Sequence, residues 1–312
     1  MKPDHQHSAP LLSRRELLAL FATASATMLT ACTLSTATET VGGAMPAGGP
    51  PGGGAGMGGS ETLAEFVGVT TDGKVIADLF PIQATGVTTE PVITAANAFL
   101  ATLTDEQRTA ILFAVDNDEW RKWSNVDGYQ RDGVSLEEMS KEQRAAAMNL
   151  LSTALSAKGL ETTQNAMKLN TVQGELLDQT GRFNELRYWF TLMGEPSSTD
   201  PWGFQLDGHH LIINYFVLGD QVVMAPVFLG AEPTVAPEGT SYAGTSVLQV
   251  ELDKALAFVN TLTADQQAVA IISADKGNEN MHAGAFQDNA VIDYAGIQAA
   301  ALTADQQAHL LD

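Results

Sequence analysis

The chain predicts an α+β fold, mainly helical with a small antiparallel sheet, and three observations carry that reading. A helix-start pattern recurs four times, a run of branched and aromatic residues doubles back on a Gly-Asp turn, and residues 61–312 suffice to enclose one sizeable core.

The amino terminus is expected to lie outside that core. Ser13-Arg14-Arg15-Glu16-Leu17-Leu18 sets an arginine pair before the apolar stretch Leu17 to Ala31, and Leu29-Thr30-Ala31-Cys32 puts small residues before the only cysteine. Residues 1–32 therefore read as an export signal ending in a lipobox, similar to a twin-arginine signal, with Cys32 as the lipidated residue. Their apolar run of about 15 residues falls short of the roughly 20 that span a bilayer. Residues 33–60 read as a flexible tether, because ten of the eighteen positions from Gly42 to Gly59 are glycine and three are proline. With Cys32 taken by lipid, no thiol is left for a disulfide, a nucleophile or a thiolate metal site.

Within residues 61–312, read as a single domain, the helices announce themselves by their first turns. Leu103-Thr104 with Gln107, Met139-Ser140 with Gln143, Leu262-Thr263 with Gln266 and Leu302-Thr303 with Gln306 each place a hydroxyl three residues before a glutamine, behind an apolar residue. That is a capping box with a staple residue, and the acidic residues inside it answer the helix dipole. Helices are expected over residues 92–120 and 248–274, each as helix, short turn, helix, and over 140–158, 160–180 and 303–310. The 92–120 and 248–274 elements are either related or convergent on a good helix start.

Strands fall between them. Leu211-Ile-Ile-Asn-Tyr-Phe-Val-Leu218 turns at Gly219-Asp220 and returns as Gln221 to Ala225, so residues 209–225 read as a hairpin; a smaller one is expected over residues 66–79, around Asp72-Gly73. If the strand begins at His209, then His209 and His210 face opposite sides of the sheet. One would be a ligand and the other structural, unless a turn at Asp207-Gly208 brings both in; the first arrangement is the one expected.

Composition excludes several functions. A formal charge of −21 repels phosphate backbones, so nucleic acid is not an expected partner. No Gly-x-Ser-x-Gly elbow, no phosphate-cradling loop with its lysine and no dinucleotide fingerprint occurs, which leaves metal chemistry as the enzyme class with residues behind it. Asp207, His209, His210 and the distant His282 are nitrogen and oxygen ligands suited to zinc or another first-row transition metal, though their spacing matches no tight metal motif. The competing reading makes the two histidines a hydrogen-bonded turn. A second group, Trp123, Asn125, Arg131, Glu175, Trp202 and Asn214, offers a small-molecule site in which Arg131 fixes an oxyanion and the indoles form an apolar wall. Its competitor pairs Arg131 with a buried carboxylate such as Glu175 and puts the tryptophans in the core.

Trp123-x-Asn125, Arg131-Asp-Gly133, Gly174-Glu175-x-Leu177, Trp202-Gly203, Gly208-His209-His210-Leu211, Asn214 and Pro226-x-Phe228-x-Gly230-x-Glu232-Pro233 resemble the signature of an uncharacterised, mostly bacterial family, the domain of unknown function 3500. The resemblance covers roughly residues 92–312 and brings no established activity. It implies export and a further carboxy-terminal segment bearing a His-x-His element, so the chain, ending at Asp312, is expected to be a shortened member. The function expected is that of an exported lipoprotein, anchored through Cys32 outside the cytoplasmic membrane or in the outer membrane, that binds a small molecule or an envelope protein. The alternative is a metal-dependent hydrolase or oxidoreductase working at the Gly-His-His segment, with His209, His210 and Arg131 as the catalytic candidates.

Overall fold

The computed structural model describes residues 85–274 and 292–312, together with Lys74 and Ile76. The expected signal, tether and small 66–79 hairpin, and His282, lie outside the described residues. The α+β fold class holds. The described chain falls into two compact units, one of residues 85–248 and one of residues 249–274 with 292–312.

The first unit opens on α1 (Glu90–Thr102) and α2 (Asp105–Ile111). Thr104 caps α2 as its spacing predicts: its hydroxyl accepts from the Gln107 backbone N–H, and the Gln107 side chain accepts from the Thr104 N–H. The helix stops at Ile111 and does not run to residue 120. The next two residues, β1 (Leu112–Phe113), pair in parallel with the sheet, and a 3-10 turn over Asp118–Arg121 follows, capped by Asn117. After the short β2 (Val134–Ser135), Ser140 starts α3 (Lys141–Ala154) with a second capping box. Ser156 then starts α4 (Ala157–Leu177) by accepting from the Gly159 N–H.

The sheet is larger than the sequence suggests. It contains β3 (Tyr188–Met193), β4 (Trp202–Gly208), β5 (Leu211–Leu218), β6 (Gln221–Val223) and β7 (Val227–Leu229), in the order β1-β3-β4-β5-β6. β2 also pairs β3 and β7 also pairs β5, so two short strands share each outer edge. All pairings are antiparallel except β1 with β3. The 209–225 hairpin is thus resolved into two turns, one at His209-His210 between β4 and β5 and one at Gly219-Asp220. Strand β4 is buried along its whole length although it contains Gln205 and Asp207, because each has a partner: Gln205 donates to Asn214 across the strands at 2.7 Å. Phe99 of α1 meets Phe190 of β3 at 5.5 Å between ring centroids, which joins helices to sheet in a core with Ile111, Leu150, Leu151, Trp202 and Phe204.

The second unit contains α5 (Gln249–Val259), α6 (Ala264–Ala270) and α7 (Ala304–Leu311), with capping boxes at Thr263 and Thr303. It repeats the first three helices bond for bond. In the first unit the Gln107 and Gln143 side-chain amides pair with each other, and Gln143 also donates to the Thr102 carbonyl at 2.9 Å while Gln107 reaches the Glu138 carbonyl at 3.4 Å. In the second, Gln266 and Gln306 pair in the same way, Gln306 donates to the Thr261 carbonyl at 2.8 Å and Gln266 to the Ala301 carbonyl at 3.2 Å. The neighbours correspond too: Arg108 and Gln267 each reach back to the end of the preceding helix, at Leu100 and Val259. Gly133 and Gly296 take the same positive φ, 90° and 85°. Long-range bonds shared to this extent go beyond a common helix start, and the related reading of the two elements is the one the geometry favours. Among the described residues no helix is long and apolar enough to cross a membrane.

Candidate metal centre

His209 and His210 are the two residues of the tight turn that joins β4 to β5, with Gly208 and Leu211 paired on either side. This corrects the expectation that they begin a strand and face opposite ways. The turn sets their rings side by side, with centroids 4.0 Å apart and planes at 30°. His210 takes a left-handed backbone, φ 57°. That conformation is unfavourable for a residue with a Cβ, and it persists only where surrounding contacts hold it. Three do: the His210 N–H donates to the Asn125 carbonyl at 3.0 Å, the His210 carbonyl accepts from the Gly230 N–H at 2.8 Å, and Tyr188 donates its hydroxyl to the His209 carbonyl at 3.2 Å. Gly208 makes room for that tyrosine, since a Cβ there would lie 2.2 Å from Tyr188 Cδ1.

The third member arrives from β7. Pairing of Leu229 with Leu211 brings the end of β7 beside the start of β5, and the bond from Gly230 carries the chain past the turn to Glu232. Ligand atoms of His209, His210 and Glu232 all lie within 4.8 Å of one another, and His210 Nε2 is 3.5 Å from Glu232 Oε2. Two ligands on a tetrahedral ion with bonds of about 2.1 Å stand about 3.4 Å apart, a spacing that the His210–Glu232 pair matches, and the donor set suits a first-row metal.

The state of His209 is fixed by the asparagine behind it. Asn170 Nδ2 donates to the Asn184 carbonyl at 2.9 Å, which turns Asn170 Oδ1 toward His209 Nδ1 at 3.0 Å. A carboxamide oxygen only accepts, so His209 Nδ1 carries the proton and Nε2 the lone pair. Desolvation, with His210 beside it, pushes the His209 pKa down to about 3. The imidazole is therefore neutral at neutral pH, which is the form a metal binds. The Phe183 ring, 5.3 Å away between centroids, packs beside it.

The remaining residues singled out by sequence serve other ends. Asp207 does not join the cluster: it is buried, accepts from Arg131 Nε at 2.9 Å and from the Ser124 N–H at 3.1 Å, and burial pushes its pKa up to about 6 against the pull of Arg131. Glu232 takes the place expected for it. Arg131 commits four of its five N–H donors to Asp207 and to the carbonyls of Ser124, Val126 and Tyr129. It clamps the loop whose Asn125 carbonyl receives His210, so it positions the turn and is not a free oxyanion hook. The buried pair anticipated for Arg131 exists, with Asp207 in place of Glu175, which is half-buried and accepts from the Ser241 N–H at 3.0 Å. Trp202 is core, its indole donating to the Ser197 carbonyl. Asn214 donates to the Pro226 carbonyl at 2.9 Å and so pins the start of the strand that delivers Glu232. Trp123 is half-buried in the loop after the 3-10 turn. Sequence reasoning missed Glu232, Asn170 and Tyr188 as site residues; Glu232, in the Pro226 to Pro233 run, and Tyr188 belong to the family-like signature, and Asn170 had no signal.

The family model described as Protein of unknown function (DUF3500) matches residues 85–312. No curated protein and no solved structure matches. The chain belongs to this uncharacterised bacterial family.

Proposed function

We propose that this DUF3500 chain is a metal-dependent hydrolase that holds zinc, or another first-row transition metal, between His209, His210 and Glu232. The observation behind the proposal is the convergence of two imidazoles and one carboxylate on one point, from a turn and a strand end that are both anchored. Three protein ligands are what a catalytic zinc site uses, since the fourth position is kept for water or substrate. A metal so bound lowers the pKa of water and polarises a carbonyl or phosphoryl oxygen. His209 enters this centre already neutral, with its tautomer set by Asn170, so binding releases no proton from it at neutral pH. Such outer partners of a ligand histidine commonly change metal affinity by about 10- to 100-fold when removed. The same donor set is also the two-histidine, one-carboxylate arrangement of non-haem iron oxygenases, and the identity of the metal separates a hydrolase from an oxidoreductase.

The test is elemental analysis of protein purified without chelator. Near one equivalent of metal is expected in the wild type and less than about a tenth in His209→Ala/His210→Ala, with circular dichroism showing both folded. Asn170→Ala should weaken binding by about 10- to 100-fold. A wild type without metal under replete conditions would return the protein to the binding role expected from its sequence. The proposal also places this domain outside the cytoplasm on a lipid anchor at Cys32; Cys32→Ser should then move the protein from the membrane to the soluble fraction.

A further inference from the structure

His209 also lines a cleft of about 330 Å3 in the first unit, within the range of roughly 300–1,000 Å3 typical of small-molecule sites. The chemistry of this cleft runs against that of the chain. The protein has a formal charge of −21 and eight arginines, and three of them, Arg131, Arg182 and Arg187, line this one cavity. A surface left to solvation would not gather its few guanidinium groups there.

Their charges are unequally compensated. Arg131 is paired with the buried Asp207, and Arg182 with Asp127. Arg187 meets Glu137 only at 3.6 Å, and that carboxylate is half exposed, a kind of pair that contributes little. Its bond to the Gly181 carbonyl is long, at 3.5 Å. The Trp189 ring holds the guanidinium in place, with Arg187 Cζ 5.5 Å from the ring centroid. A guanidinium held over an aromatic ring offers its N–H edge as a fork, and a fork of that shape matches a carboxylate.

We infer that the cleft takes a small molecule carrying one carboxylate, gripped by Arg187, beside the His209 that it shares with the metal centre. With Asp207, Asp127 and Glu137 set against the three arginines, the cleft has little positive charge to spare, which suits a monoanion better than a phosphate dianion. The identification of this molecule as substrate rests on the metal-dependent reading; its binding does not.

The test titrates the purified full chain with benzoate, benzamide and phenyl phosphate, following tryptophan fluorescence and calorimetry, with metal content measured on the same samples. Benzoate should bind about tenfold more tightly than benzamide, and Arg187→Gln should abolish that preference without changing metal content. Glu137→Gln should bind benzoate no more weakly than the wild type, which guards against a fault in folding near Arg187. Equal binding of benzamide, tighter binding of phenyl phosphate, no binding of benzoate in the millimolar range, or an unchanged Arg187→Gln would each overturn the inference. Benzoate preference in protein that carries no metal would uphold this cleft and sink the proposed hydrolase, so the two failures are distinct.

Discussion

Two stretches of this chain, residues 90–154 and 249–311, build the same three-helix arrangement, and the first carries by far the larger buried core. In α1 and α3, Phe99, Leu150 and Leu151 are wholly buried against the sheet, whereas no residue of α5 or α6 is buried and Ile272 is 70% exposed. After α2 the chain becomes β1 along the edge of β3; after α6 the corresponding Ile271 and Ile272 form no strand among the described residues. The capping boxes and the glutamine pair are nonetheless intact in both. Local hydrogen bonds thus specify how these helices meet, and burial on a sheet is a separate layer added to one copy.

The largest difference should appear at the matched phenylalanines. Phe99→Ala is expected to cost about 3–5 kcal/mol, as for other buried aromatic truncations, and Phe258→Ala about 1 kcal/mol or less because that ring is half-buried. Denaturant unfolding measures both, and equal costs would mean that the second copy is packed in solution as firmly as the first.

The glutamine pair should behave in the opposite way. Gln143 and Gln306 are each 7% exposed and each bridge a partner amide and a helix-end carbonyl. Replacing either by alanine takes a partner from the helix-end carbonyl and from the N-cap N–H, at a cost of about 1–3 kcal/mol in both copies. If Gln306→Ala is silent while Gln143→Ala is not, the latch depends on the sheet after all.

Acid sharpens the comparison from the side of the site, which only the first unit carries. His209 has a folded pKa of about 3 against an ordinary 6.5, so below the ordinary value the unfolded chain binds more protons. Its contribution is present above about pH 6.5 and is lost as pH falls toward 3. Asp207 acts with the opposite sign: its folded pKa of about 6 stabilises the protein at low pH, and that gain disappears as pH rises through 6. The two oppose each other between these values, and the total curve hides both. The stability of metal-free wild type relative to His209→Gln isolates the histidine and should shrink steadily from pH 7 to pH 4; a constant difference would show that His209 is not desolvated.

What could be read from sequence follows the same division. The four helix starts were legible because a capping box is complete within four residues. Strand β4 was not, since its polar residues are made tolerable by Asn214 and Arg131, partners found only through the fold. The histidines were visible as candidates, but their shared direction depends on a turn that a strand-like pattern conceals. Glu232 was invisible as a ligand because the pairing of β7 with β5, not sequence proximity, brings it to them.

The left-handed backbone of His210 has a consequence for how this protein can change. Folding alone would favour glycine or asparagine at that position, since both accept a positive φ at less cost than histidine. His210→Gly should therefore raise the melting temperature of the metal-free protein while removing an imidazole from the centre. A selection for heat resistance alone would erode the site, and the histidine there marks a position where stability and use pull apart.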